Sequence, residues 1–348
     1  MNLWVIGRDG VISEATEVYN YEISYDYITT EKTSFNLVND IEFKNGDFVM
    51  AKYQHGKGIA YFGVIDSYEE SEEDNTRIMV CNDIITLINF DFPATKMSGP
   101  SFEAHAKTLI TKYLISDPNK VMSVLDIEVL SNTPHVYQPA DPPTPTNLMK
   151  YLINGFKKYN VVWEFDRFEN GRVKTSIKAV TSTVQLKNNI KGFKNWDVST
   201  TEVGKGTSNY LMIVDKTTTN SETPKVLSNW YLLSDNTISQ NASSPLVIKP
   251  TKTQISIYDT TEEDKPSYED VANAALKGSF YAHEITVQAY KENLVMDPSS
   301  LATGTLVNIM YNGTQYKSVL TGFTINENSD YMALRFGHIR SRLSEILE

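Results

Sequence analysis

The chain has a single cysteine, five scattered histidines and a deficit of positive charge. One thiol excludes a disulfide scaffold, and Cys81, beside Val80 in an apolar run, reads first as a packed strand residue. That usage fits a protein made in a reducing cytoplasm. The histidines stand at positions 55, 105, 135, 283 and 338, and no two have the spacing of metal ligands, so no structural zinc site is expected. His105 falls beside the apolar stripe of a helix, where a lone histidine is more often a part-buried packing residue than a ligand. With 32 Lys and Arg against 43 Asp and Glu, the formal net charge is −11. This is the wrong sign for a surface that displaces the counterions of duplex nucleic acid. It remains compatible with a passage through which DNA slides without sticking. No run of 18 apolar residues is present, and Met1 to Arg8 lacks a basic region followed by an apolar stretch. Neither membrane insertion nor a secretory leader is expected.

Catalytic patterns are equally scarce. Gly204-Lys205-Gly206-Thr207-Ser208 has the letters of a phosphate loop without its spacing, and it precedes a strand, so it reads as a turn. Ser13, Ser98 and Ser279 lack the G-x-S-x-G elbow of a hydrolase. The carboxylates of 69–74 and 262–264 lack the alternation and central glycine of a calcium loop and read as solvated tips. No catalytic residue, cofactor or metal ligand is therefore expected, and no enzymatic activity.

What is present is β structure. Hydrophobic residues make up 41% and charged residues 22%, as in an ordinary globular protein, and 348 residues suffice for several domains. The run Gly46-Asp47-Phe48-Val49-Met50-Ala51-Lys52-Tyr53, then Tyr61 to Tyr68, then Arg77 to Val80, reads as three short antiparallel strands. A similar pattern returns as Gly304 to Tyr311, Tyr316 to Phe323 and Tyr331 to Leu334. Gly46 and Gly304 lie 258 residues apart, as do Tyr53 and Tyr311, whereas Tyr61 and Tyr316 lie 255 apart, so the turn has lost three residues. Any two β meanders look broadly alike, but here aromatic and glycine positions match in order across three strands, which predicts an internal duplication. Asn312-Gly313 is a type I′ turn signal.

The expected fold is mainly β: two similar small antiparallel barrels related by duplication, with a helix-containing α+β insert. The boundaries are a first barrel at 1–92, the insert at 93–185, a β-rich segment at 186–262 that lends strands to the second barrel, and that barrel at 263–348 with a C-terminal amphipathic helix, Gly337 to Leu347. Within the insert, Ser101 caps a helix to Ile115 and Thr146-Asn147 caps another to Tyr159. Five prolines between Pro134 and Pro145 make an extended linker, and Glu169-Asn170-Gly171 turns a hairpin. Ser267 to Asp270 has the form of a helix N-cap.

Two barrels with an α+β insert between them resemble the bacteriophage tail hub family, which includes the N-terminal structural module of tail-associated lysins. The residues that carry the resemblance are Gly46-Asp47-Phe48-Val49, Phe62 to Ile65, Asn209 to Val214, Trp230 to Leu233, Gly304 to Phe323 and Leu334-Arg335-Phe336-Gly337. The resemblance implies a homotrimeric baseplate component at the tail tip of a phage or prophage virion, in which two barrels per chain present a quasi-sixfold face to a tube of sixfold rings. It implies contacts with a distal tail protein, a tape-measure protein and receptor-binding or fibre proteins used in host attachment. Family members often carry a further peptidase or fibre domain; the chain's end at Glu348 favours a structural role. Under this reading Phe90, Phe92, Phe336, His338 and Arg340 are candidate subunit-interface residues. Two alternatives carry their own requirements. A cell-wall or carbohydrate-binding module needs Trp196 and Trp230 exposed on loops, and a peptidoglycan hydrolase needs an acid–base pair or a metal that is not legible here.

Overall fold

A computed structural model describes residues 1–26, 31–53, 58–71, 76–93, 99–133, 145–200, 208–235, 237–261, 267–277, 283–292, 295–298 and 301–337. Residues 134–144 of the expected linker, 338–347 of the expected C-terminal helix, the 262–264 cluster and the Gly204 to Thr207 turn lie outside these residues.

The first six strands are β1 (Asn2–Ile6), β2 (Ile12–Asp26), β3 (Thr33–Leu37), β4 (Phe48–Lys52), β5 (Ile59–Ser71) and β6 (Thr76–Asn82). They pair in the order β1-β4-β5-β6-β3-β2, and β2 returns to β1, so the ring is closed. Alternation explains the unbroken apolar run of β4. Val49 and Ala51 on one face are fully buried, with Leu3, Phe35, Tyr61 and Met79 buried on other strands of the ring. Phe48 and Met50, on the other face, join Phe62 and Val64 in a core shared with the helical insert. Both faces of this strand are covered, so period two disappears from its sequence.

The insert contains β7 (Asp91–Pro93), α1 (Phe102–Ile110), β8 (Leu125–Val129), β9 (Pro145–Asn147), α2 (Leu148–Tyr159), β10 (Val161–Glu169) and β11 (Arg172–Ala179). Ser101 Oγ accepts the amide of Ala104 at 3.2 Å and Asn147 Oδ1 that of Lys150 at 3.0 Å, so each helix starts where a side chain satisfies an orphan N–H. A wider π-type turn, Thr111–Ile115, extends α1. Three strands form a sheet in the order β10-β11-β8, with β8 parallel to β11. The ring of Phe62 on β5 stacks on Phe165 of β10, centroids 3.8 Å apart, so barrel and insert share one apolar core.

Next come β12 (Thr183–Lys187) and β13 (Phe193–Thr200). A second compact unit, Val198–Glu284, holds β14 (Tyr210–Asp215), β15 (Val226–Leu232), β16 (Ile238–Ser239), β17 (Thr253–Tyr258) and α3 (Tyr268–Lys277). Its sheet runs β16-β15-β14-β17, and α3 covers one face through Ala272 and Leu276 against Leu211, Ile213 and Leu232. Ser267 and Asp270 cap α3 reciprocally: the Asp270 amide donates to Ser267 Oγ at 3.1 Å and the Ser267 amide to Asp270 Oδ2 at 3.3 Å. This helix thus belongs to the sheet of its own unit and not to the barrel that follows. The other unit joins Met1–Asp197 to Ile285–Glu348.

The last strands are β18 (His283–Tyr290), β19 (Leu306–Tyr311), β20 (Thr314–Asn326) and β21 (Tyr331–Gly337). With β12 and β13 they form the path β12-β19-β20-β21-β18-β13, antiparallel at β19–β20 and β20–β21, with β12 parallel to β19. The duplication is explicit here. β20 and β21 repeat the bounds of β5 and β6 at an offset of 255, and the ladders match residue for residue. Ile65 pairs with Cys81 and Ser67 with Val80, with a bulge between; Leu320 pairs with Phe336 and Gly322 with Arg335, with a bulge at the same place. Gly46 and Gly304 both have φ of +86°. The Gly46 amide donates to Ile65 O at 3.2 Å and the Gly304 amide to Leu320 O at 2.8 Å, which are equivalent bonds.

One half-buried titratable group makes a testable contribution. Asp83 Oδ1 accepts the Ile85 amide at 2.9 Å and so caps the 3₁₀ turn Ile84–Ile88. Burial pushes its carboxyl up to about 6; the amide bond opposes this and the nearby negative charge of Glu164 adds to it. A carboxyl raised in the folded state stabilises fully below its unfolded pKa, and that contribution is lost as pH rises through 6. Asp83→Asn keeps the cap and removes the charge. It should raise Tm relative to the parent at pH 8 and change it little at pH 4, as thermal melts at the two pH values would show.

Candidate assembly surfaces

The groups with the greatest chemical potential are packed away. Cys81 on β6 is fully buried, and burial pushes its thiol well above the usual range. His105 on α1 is fully buried, with Nε2 3.0 Å from the Tyr151 hydroxyl. Among the described residues, no three His, Cys, Asp or Glu side chains come together as a metal site. A shallow depression on the insert sheet holds Lys107, Asp126, Glu128, Asp166, Arg167 and Lys174. Within it Lys174 pairs with Asp126, and Asp166 accepts the Ser176 hydroxyl at 2.9 Å.

The residues expected at a subunit interface separate into three groups. Phe92 is 2% exposed, its ring between Tyr113 and Tyr151 at 5.5 and 5.3 Å, and Phe336 is fully buried on β21. Both serve the chain's own core, because their strands turn those positions inward. Phe90 is half-buried beneath the Lys120 ammonium, 3.3 Å from its ring centre. His338 and Arg340 lie outside the described residues.

The two tryptophans proposed as exposed platforms are on strands, not loops. Trp196, on β13, packs against Phe193 and Tyr311 at 5.9 and 5.8 Å; Trp230, on β15, packs against the core beneath α3. Each is half-buried, and each indole N–H is enclosed with no hydrogen-bond partner among the described residues. A residue half-buried on a strand is not the fully exposed loop platform expected of a sugar-stacking site.

Accessible features lie instead at strand edges and one sheet face. On β17, an edge strand, Ile255 and Ile257 are 62% and 60% exposed and are in register with Met212 and Val214. β13 ends the long sheet path with β18 on one side. In β5, residues up to Val64 have β4 beside them, whereas Ser67 to Glu70 have only β6 among the described residues. Glu69 and Glu70 there are exposed. Sequence patterning missed these edges, because the apolar period tells which face of a strand is buried and not which side lacks a neighbour.

No family model and no curated protein matches the sequence. Solved structures do match along nearly the whole chain. A tail protein from Neisseria meningitidis aligns with a TM-score of 0.55 and 10% identity, over 97% of this chain and 96% of its own. A prophage MuSo2 tail protein from Shewanella oneidensis aligns with a TM-score of 0.56 and 12% identity, over 97% and 98%. A prophage tail protein from Listeria monocytogenes aligns with a TM-score of 0.52 and 10% identity, over 100% and 98%. The closed first barrel, the second strand set that repeats its ladder, the helical insert and the α/β unit together have the fold of these tail proteins.

Proposed function

We propose that this chain is a structural, non-enzymatic component of a phage or prophage tail tip. Three copies form a hub that closes or extends the tail tube and adapts its sixfold symmetry to threefold. The observation that carries the reading is the matched register of β5–β6 and β20–β21, bulge for bulge. Two barrels with the same ladder let one chain offer nearly the same surface twice, and three chains offer it six times. The fold shared with tail proteins supports the same reading. In this role the partners are other copies of the chain, a distal tail protein, a tape-measure protein and fibre or receptor-binding proteins. The net charge of −11 suits a channel that passes DNA without holding it.

Light scattering over a range of concentrations tests the stoichiometry. The expected result is a species of about three times the 39.3 kDa chain mass. A strict monomer at every concentration would overturn the hub.

A further inference from the structure

Within one chain, the first barrel leans on the second through a strand ladder. Glu22 to Asp26 of β2 pair antiparallel with Asn326 to Gly322 of β20. Side chains reinforce the junction: Ser24 Oγ donates to Thr324 Oγ1 at 3.1 Å, the Tyr25 and Phe323 rings lie 5.1 Å apart, and Arg335 pairs with Asp26 at 3.1 Å. The first barrel supplies a donor strand, β2, and the second an acceptor edge on β20.

The duplication implies that each barrel has both parts. By the offset of 255 between β5 and β20, the acceptor residues Gly322 to Ile325 correspond to Ser67 to Glu70. Those four residues have β6 on one side, as Gly322 to Thr324 have β21, and no strand among the described residues on the side where β20 receives β2. The donor also has a counterpart. β2 lies next to β3, which lies next to β6; β13 lies next to β18, which lies next to β21. β13 is the last strand of the path, with no strand on its other side among the described residues. One donor and one acceptor are joined within the chain, leaving a second acceptor on the first barrel and a second donor beside the second barrel.

We infer that the β5 edge at Ser67–Glu70 receives β13 of a second copy of this chain, repeating between subunits the β2–β20 ladder found within one. The inference rests on the hub reading and adds the surface that closes its ring. The contact is heterologous: edge meets donor, not edge meets edge. Such a contact builds a ring when its rotation closes. Charge favours the same choice, because two β5 edges laid together would bring the exposed Glu69 and Glu70 of both copies into contact. Unpaired backbone groups along an edge strand are what such an addition uses.

The experiment is a set of cysteine pairs in the full chain. Glu69→Cys is combined in turn with Asp197→Cys, Val198→Cys, Ser199→Cys and Thr200→Cys, and each variant is oxidised mildly while oligomeric. Facing residues in an antiparallel ladder bring Cβ atoms to ~5 Å, close enough for a disulfide after small adjustment. Cys81 is buried and stays reduced. At least one pair should give a reducible covalent trimer on a non-reducing gel, with none from any single variant. A parent that is trimeric by light scattering, with no cross-link from any of the four pairs, would overturn this surface and leave the hub standing. Cross-linking of Glu69→Cys alone would also overturn it, since that reports edge against edge. A parent that is monomeric at all concentrations removes the hub and this inference together.

Discussion

Glu103→Ala is expected to destabilise the larger unit by ~3–5 kcal/mol, the range for breaking a buried charged hydrogen-bond network from one side. Glu103 sits in the first turn of α1 and is fully buried. Its Oε1 accepts the Ser131 and Thr133 hydroxyls, each at 2.6 Å, and the Thr133 amide lies 3.0 Å from Oε2. Ser131 Oγ in turn accepts the Ala179 amide at 2.6 Å, so the carboxylate holds both the strand after β8 and the end of β11. Alanine would leave three donors without an acceptor at a part-buried site. Glu103→Gln keeps the volume and one acceptor oxygen, and should lose roughly half as much. Burial by itself pushes this carboxyl up, but the hydrogen bonds from Ser131 and Thr133 outweigh it and hold it below the usual range. A depressed carboxyl stabilises above its unfolded pKa and loses that contribution as pH falls through the folded one. The parent should therefore lose stability toward low pH, and the gap between parent and Glu103→Ala should narrow with it. Urea midpoints at pH 7 and pH 3 measure both effects; equal gaps at the two pH values would refute the assignment.

Gly10→Val, at a buried turn position, is expected to cost at least ~3 kcal/mol, at the high end for a single change. Gly10 closes the β1–β2 turn with φ of +80°, and a Cβ placed there would lie 2.0 Å from the carbonyl oxygen of Gly171. Gly171, with φ of +71°, closes the β10–β11 turn next to Asn170 at +52°. The turn of the barrel and the turn of the insert thus meet backbone to backbone. A flexible side chain could yield, but a carbonyl fixed in a hairpin can do so only by shifting the ladder. Gly313 supplies the control. Its φ is +83°, yet a Cβ there meets nothing within 4 Å. Gly313→Ala should cost only the ~1 kcal/mol of the left-handed backbone. Equal losses for Gly10→Ala and Gly313→Ala in denaturant titrations would show that the turn contact adds nothing.

Sequence reading worked best where the controlling interaction is local. The caps at Ser101, Asn147 and Ser267 each bond an amide three residues on, so a four-residue window contains the whole cause. The same holds for Asn312-Gly313, with φ of +48° and +83°. The duplication was legible because two copies of one ladder keep their bulges and glycines in step, and the offset of 255 carries through to the register. Reading failed where a residue's partner lies far along the chain. Phe92 and Phe336 look like surface anchors beside a strand end, but Tyr113, Tyr151 and the barrel interior claim them. The strand signal at Asn229 to Leu233 already placed Trp230 on a strand, and β15 holds it; the strand that holds Trp196 carries no comparable apolar alternation.

By itself the sequence determined the strand-rich class, the two barrel motifs, the helix starts and the scarcity of catalytic residues. Each follows from composition or from interactions spanning a few residues. Only the tertiary structure decided that the outer face of β4 belongs to the insert, that α3 serves the sheet of the second unit, and that β2 reaches β20 some 300 residues away. It also decided which strand edges have no neighbour among the described residues. The physical reason is that a strand's sequence records the burial of its two faces, whereas hydrogen bonds at its two sides come from the backbone, which every residue shares.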